Sequence, residues 1–206
     1  MISPSVQARI TPKGVVEMLS NHDQILGGLE NQVYLGCSFP ARADYRLAIQ
    51  DCARRVGEVL AADGVVGPFG IDFVLVPDGD GGGFRPHLTE INLRMGGTTH
   101  PFWMARLVTG GTYEPATGEL VTARGPRTYI ATDNLKHEAL VGAAPAGVIA
   151  EVDRRGLAYD SATATGVTLH LLGALREHGK MGVTCIAETT EAARELHEEV
   201  TAALTG

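Results

Sequence analysis

Apolar and polar positions alternate in two short runs near the middle of the chain, Ile71 to Val76 and His87 to Leu93. The residues between them are rich in Pro, Asp and Gly, so the pattern predicts an antiparallel hairpin centred on Gly81. Upstream, Val6 to Ile10 and Val15 to Leu19 flank a Pro12-Lys13-Gly14 turn, and Asn31 to Leu35 is a third strand-like run. Asp44 is placed to cap a helix running to about Ala62, with Leu47, Cys52, Val56 and Val59 near one face and Gly64 as its stop. After the hairpin comes a Gly96-Gly97-Thr98-Thr99 loop, and Pro101 opens a helix to about Val108. Residues 110–127 hold six Gly and Pro, the best boundary in the chain. Beyond it the pattern predicts short helices near 133–141 and 145–155, and a strongly apolar, buried helix at 166–178. A strand at 181–187 and an amphipathic helix at 190–204 follow, the helix with Ala193, Leu196, Val200 and Ala203 at helical spacing. The expected class is α+β: residues 1–110 as an antiparallel sheet with helices, 111–127 as a linker, and 128–206 as a small α/β lobe.

The hairpin also carries chemistry. With Gly81 at its centre, facing residues have numbers summing to 162, which sets Asp72 opposite Glu90. Period-2 alternation puts Asp72, Val74 and Val76 on one face, and Leu88, Glu90 and Asn92 on the matching face of the second strand. Like charges directly opposite one another destabilise a ladder unless a positive charge lies between them. Asp, Glu and Asn offer only oxygen ligands, which suit magnesium and not zinc. Arg94 continues the same parity and supplies a cation where a bound phosphate would want one. The competing reading is a solvated hairpin whose polar face meets water. The apolar Val74, Val76 and Leu88 on that same face weigh against it.

Composition adds limits. The 206 residues are 44% hydrophobic, enough to bury a core. A formal charge of -7 and a pI near 5.5 exclude a general nucleic-acid or anionic-membrane surface. No run approaches 18 apolar residues, and the N-terminus lacks the basic and apolar regions of a signal peptide. Cys37, Cys52 and Cys185 are read as reduced, buried thiols of a cytoplasmic protein. Three lysines stand against fourteen arginines, a composition typical of a GC-rich bacterial genome.

The hairpin motif, Gly-Ile-Asp-Phe followed by Thr-Glu-Ile-Asn-Leu-Arg, resembles the magnesium-binding end of the ATP-grasp fold. The longer phrase Glu90 to Pro101 is similar to the pheganomycin-type peptide-ligase branch. So are Ser3 to Gln7, Asp23-Gln24, Tyr34 to Pro40, Leu157 to Asp160 and His178 to Thr184. The resemblance implies the C-terminal part of an ATP-grasp fold, with Asp72, Glu90 and Asn92 as magnesium ligands. It implies that Arg94 is the catalytic contact to phosphate, with Gly97, Thr98, Thr99 and His100 binding substrate. ATP and Mg2+ are the implied cofactors. The implied reaction is ATP-dependent activation of an amino-acid carboxylate as an acyl phosphate, then attack by a peptide amine.

Lys13 is the only lysine before the hairpin and sits in a turn, and no glycine-rich loop precedes it. Gly79 to Gly83 lacks the strand–loop–helix context and the lysine of a phosphate cradle, and reads as a hairpin connection. A separate N-terminal ATP-grasp half is therefore expected as partner, with the isolated chain inactive. The alternative is a truncated, non-catalytic ligase serving as a binding or scaffolding subunit. His100 is read either as lining the acceptor pocket or as a helix-start packing residue, and Trp103 either as a core anchor or as a ring platform for substrate. His87 is assigned by parity to the face away from Glu90. His22, His137, His170, His178 and His197 are expected at the surface or at helix ends.

Overall fold

A computed structural model describes residues 2–29, 33–79 and 83–206 of the chain. Among the described residues ten strands form one sheet, and every strand pairing in it is antiparallel. The strands are β1 (Pro4–Ile10), β2 (Val16–Gly27), β3 (Val33–Phe39), β4 (Gly67–Pro77), β5 (Phe84–Asn92), β6 (Thr112–Glu114), β7 (Glu119–Thr122), β8 (Gly125–Lys136), β9 (Gly166–His170) and β10 (Lys180–Ala187). The main order is β5-β4-β1-β2-β3-β8-β10-β9, with the β6–β7 hairpin attached to β8. The helices are α1 (Arg46–Ala62), α2 (Thr99–Thr109), α3 (Pro145–Arg154), the single-turn α4 (Leu175–His178) and α5 (Thr190–Thr205). The architecture is thus α+β, as expected. Asn31 and the turn centre Gly81 lie outside the described residues.

Alternation explains how the first half divides its faces. Val6, Ala8 and Ile10 of β1 and Phe69, Ile71 and Phe73 of β4 are buried in one cluster with Ile49 and Ala53 of α1. The other parity of the same strands, Ser5, Gln7, Gly70 and Asp72, is left for the opposite face. Helix α1 begins at Arg46. Asp44 is not its cap: Tyr45 holds the N-cap position without a side-chain cap bond, and the Asp44 carboxylate pairs with Arg42 instead. A second cluster joins Phe39, Phe102, Tyr113, Leu120, Tyr129 and Ile186, with Phe39 and Tyr129 stacked at 5.1 Å. A third packs α3 and α5 on β8 and β10 through Val148, Val152, Val183 and Val200.

Residues 111–127 carry the β6–β7 hairpin and the start of β8. Asn21 donates to the Tyr113 hydroxyl at 2.7 Å, and Gln50 donates to the Pro115 carbonyl at 2.7 Å. Arg46 pairs with Glu119 at 2.8 Å.

Two predicted helices are strands. Over 133–141 the chain continues β8 to Lys136 and then makes only a short 3-10 turn at Glu138–Leu140. Over 166–178 it forms β9, a 3-10 turn and α4, with Leu171 in the left-handed region at φ 55 and half exposed. The reason is non-local. β10 is buried along nearly its whole length, and its amides and carbonyls need strands on both sides. β8 supplies one partner, and the Gly166–His170 segment, with β-branched Val167 and Thr168, supplies the other.

Arg127 ties this region to the loop before β9. It is buried, and its guanidinium donates to the carbonyls of Thr163 at 2.7 Å and Ala164 at 2.9 Å. Arg127→Met keeps the apolar stem but orphans those carbonyls. It is expected to lower unfolding stability by about 2–3 kcal/mol in a urea titration. A loss under about 0.5 kcal/mol would show that the loop does not depend on it.

Candidate active site

Strands β4 and β5 pair in the expected register at their open end: Gly70 faces Asn92, Ile71 faces Ile91 and Asp72 faces Glu90. The register then shifts. Phe73 faces Leu88, which leaves Thr89 as the extra residue of a bulge, and its hydroxyl donates to the Asp72 carbonyl at 3.0 Å. Past the bulge Val74 faces His87, so Leu88 leaves the face of Asp72 and Glu90 and His87 joins that of Val74. Both parity assignments, for Leu88 and for His87, are corrected by that one residue. The exposed edge strand β5 thereby holds Glu90 and Asn92 against Asp72 of the largely buried strand β4.

The opposite face of the sheet from α1 bears a cavity of about 280 Å³. Asp72, Glu90, Asn92 and Arg94 line it together with Gly97 and Thr98 of the following loop. Asp72 is the best-connected group. Its Oδ1 accepts from Gln24 Nε2 at 2.7 Å and its Oδ2 from Asn92 Nδ2 at 3.3 Å. Burial, reinforced by the facing Glu90 carboxylate, pushes its pKa up to about 6. A carboxyl raised in this way beside a second acid marks a site short of positive charge.

Thr99 and His100 do not line this cavity. The Thr99 hydroxyl accepts from the Gly96 amide at 3.0 Å and donates to Gln7 Oε1 at 3.4 Å. The His100 ring turns toward the C-terminal half and packs edge-on against His170 of β9 at 4.2 Å. Burial lowers the pKa of both imidazoles, that of His170 to about 4.

Five further lining residues come from strands far upstream: Ser5 and Gln7 of β1, Gln24 and Leu26 of β2 and Tyr34 of β3. Ser5 pairs directly with Asp72 and Gln7 with Gly70. Glycine leaves room for a side chain at two of these contacts. A methyl group on Gly70 would lie 2.7 Å from Gln7 Nε2, and one on Gly97 would lie 2.9 Å from the Tyr34 ring. The hydroxyls of Ser5 and Thr98 are buried without a hydrogen-bond partner among the described residues. Buried polar groups are normally satisfied, so two such hydroxyls on one cavity point to a ligand. Alternation in β1 was the available signal for Ser5 and Gln7; Gln24 and Tyr34 carried only their likeness to the peptide-ligase branch.

Of the other histidines, His22 is fully buried, contrary to the surface role expected for it. Its Nε2 lies 2.7 Å from the Tyr129 hydroxyl, and burial pushes its pKa down to about 3. Cys37 and Cys185 are buried, free thiols, while Cys52 is partly exposed. Among the described residues no group of three or more His, Cys, Asp or Glu could hold a metal, so a cation here relies on Asn92 besides the two acids. No helix among them is long and apolar enough to cross a membrane.

The family description "IQCH-like, ATP-grasp" matches residues 2–116, and "PGM1 C-terminal domain" matches residues 148–200. An L-propargylglycine–L-glutamate ligase of Streptantibioticus cattleyicolor is 37% identical over 99% of this chain. The chain spans 41% of that relative's length. Two solved structures share the fold. N5-carboxyaminoimidazole ribonucleotide synthetase from Thermus thermophilus has a TM-score of 0.60 and 16% identity over 100% of this chain and 51% of its own. Carboxyaminoimidazole ribonucleotide synthase from Aspergillus clavatus, complexed with ATP, has a TM-score of 0.58 and 16% identity over 98% of this chain and 50% of its own. With a family match across more than half its length, the chain belongs to the ATP-grasp family.

Proposed function

We propose that the chain is the metal- and phosphate-binding part of an ATP-dependent carboxylate–amine ligase that joins an amino-acid carboxylate to the amine of an amino acid or peptide. The observation that carries this reading is the facing of Asp72 and Glu90 within one cavity that Asn92 and Arg94 also line. The donor set fits Mg2+. All its atoms are hard oxygens, and the Asp72 carboxyl, held up near pKa 6 beside Glu90, gains from a cation in place of a proton. Asp72, Glu90 and Asn92 would hold the ion, which would supply positive charge to offset that of the transferring phosphoryl group.

The chain's own residues position and neutralise. Asp72 and Glu90 hold the cation, and Gln24 orients Asp72 by donating to it. Arg94 meets the phosphate oxygens, and the Ser5 and Thr98 hydroxyls offer two further hydrogen bonds at the cavity wall. The carboxylate takes the phosphoryl group to give an acyl phosphate. The amine then attacks the carbonyl carbon, the amide C–N bond forms and phosphate leaves. Gly97 and Thr98 of the loop, with Thr99 and His100 of the first turn of α2, are the substrate side in this scheme.

Residues 1–110 are assigned to the catalytic subdomain and 128–206 to a peptide-ligase-type C-terminal domain, with 111–127 between them, a division supported by the extents of the two family matches. A nucleotide-gripping half is assigned to a separate or upstream segment, supported by the chain's 41% share of its relative. A cytoplasmic setting fits the free thiols.

A Mg2+ titration by calorimetry tests the reading on this chain alone. The wild type should bind Mg2+, and Asp72→Asn and Glu90→Gln should each weaken binding at least about tenfold, the loss of about 1.4 kcal/mol. ATP should bind weakly, with no turnover. Unchanged Mg2+ binding in both variants would refute the metal site.

A further inference from the structure

A second cavity of about 280 Å³ lies on the same sheet face, one strand position along from the metal cavity. Leu19, Pro68, Met95, Phe102 and Trp103 give it a mainly apolar wall. Gln7 lines both cavities and is the partition between them. Its amide lies over Gly70, and its carbonyl accepts from Thr99, the residue that follows Thr98 of the metal cavity wall. Ser20, which faces Gln7 across β1 and β2, also lines the slot. Its hydroxyl is fully buried with no hydrogen-bond partner among the described residues. The one charged lining residue, Arg9, is already paired with Glu17.

An apolar hole with one unmatched hydroxyl suits a small apolar group that carries a polar atom at its root. Sites for drug-sized ligands run about 300–1,000 Å³, so this slot matches a single side chain better than a nucleotide base with its sugar. Resting on the ligase reading above, we propose that the slot takes the apolar side chain of an amino-acid substrate. The backbone of that substrate lies at the Gly96–Thr99 loop, so the slot selects against charged side chains. Trp103 and Leu19 set its width, Met95 covers its rim, and Gln7 separates it from the phosphate site. Burying the two further carbons of a propyl over a methyl side chain supplies a discrimination of about tenfold or more.

Trp103 is the single tryptophan of the chain, so its emission reports occupancy directly. The test titrates the whole chain, without ATP or Mg2+, with L-norvaline, L-alanine and L-glutamate up to millimolar concentrations. L-norvaline should shift the Trp103 emission saturably, L-alanine should require at least tenfold more, and L-glutamate should have no effect. Leu19→Phe, which narrows the slot, should abolish the L-norvaline response. Met95→Glu should weaken it at least tenfold; it sits at an exposed position and keeps the fold intact. No response to L-norvaline, or an equal response to L-glutamate, would overturn the proposal, as would a response that survives both substitutions. The Mg2+ titration is independent. A chain that binds Mg2+ but ignores L-norvaline loses the slot assignment and keeps the ligase reading.

Discussion

Glu90→Gln is expected to lower ADP release by a complete ligase containing this chain by about 10²–10³-fold, the size of effect seen when one preorganised contact to a transition state is lost. The substitution is nearly isosteric, so β5 keeps its register while the metal shell loses one of its two charges. The same change relieves Asp72. Burial and the Glu90 charge together hold the Asp72 carboxyl up near pKa 6, so with Gln at position 90 its titration should move down, read by carbon NMR of that carboxyl. The stability effect has a defined sign. A carboxyl raised above its unfolded value favours folding below about pH 4, and that contribution is lost as pH rises through about 6. Ionised Asp72 therefore costs stability at neutral pH. The full shift corresponds to about 3 kcal/mol, and screening at this partly exposed site leaves about 1–2 kcal/mol. Glu90→Gln should thus be inactive yet at least as stable as the wild type at pH 8. A variant that keeps activity within tenfold, or leaves the Asp72 titration in place, would remove Glu90 from the mechanism.

Acidification is expected to unfold the chain chiefly through His22. The ring is wholly buried beside Phe39 and Tyr129, at 5.6 and 5.9 Å between centroids, and burial holds its pKa down to about 3. A group with a depressed folded pKa stabilises the fold above its unfolded value, here 6.5. That stability is lost as pH falls toward about 3. The slope is about 1.4 kcal/mol per pH unit, and the whole window is worth about 4–5 kcal/mol, a large share of a typical domain's stability. Urea titrations at pH 7, 6, 5 and 4 read it directly. His22→Gln removes the titrating ring and should flatten the curve, even if it lowers stability at pH 7 by losing the contact with the Tyr129 hydroxyl. An unchanged slope in that variant would shift acid sensitivity to other groups, His170 first among them. Asp72 opposes the effect between about pH 4 and 6, so Asp72→Asn should steepen the wild-type slope.

What the sequence determined by itself was local. The β4–β5 hairpin pairs residues close along the chain, so turn chemistry and alternation were enough to set Asp72 opposite Glu90 and to bring Asn92 and Arg94 to the same cavity. Helices α1, α2 and α5 followed from apolar spacing and their glycine or proline boundaries. The limits were non-local. A single bulge residue, Thr89, reversed the facing of Leu88 and His87, because a one-residue slip turns every later side chain over. The local patterns of Gly166–His170 and Asp133–Lys136 suit either a helix or a strand, and only the need of buried β10 for hydrogen-bond partners on both edges decided it. The upstream remainder of the site, Ser5, Gln7, Gln24, Leu26 and Tyr34, lies between 38 and 67 residues before Asp72. Those residues become neighbours only when β1 inserts between β4 and β2. Likewise nothing around His22 in the chain distinguishes it from a surface histidine; the stacking of Phe39 and Tyr129 over it, from two distant strands, is what denies it water.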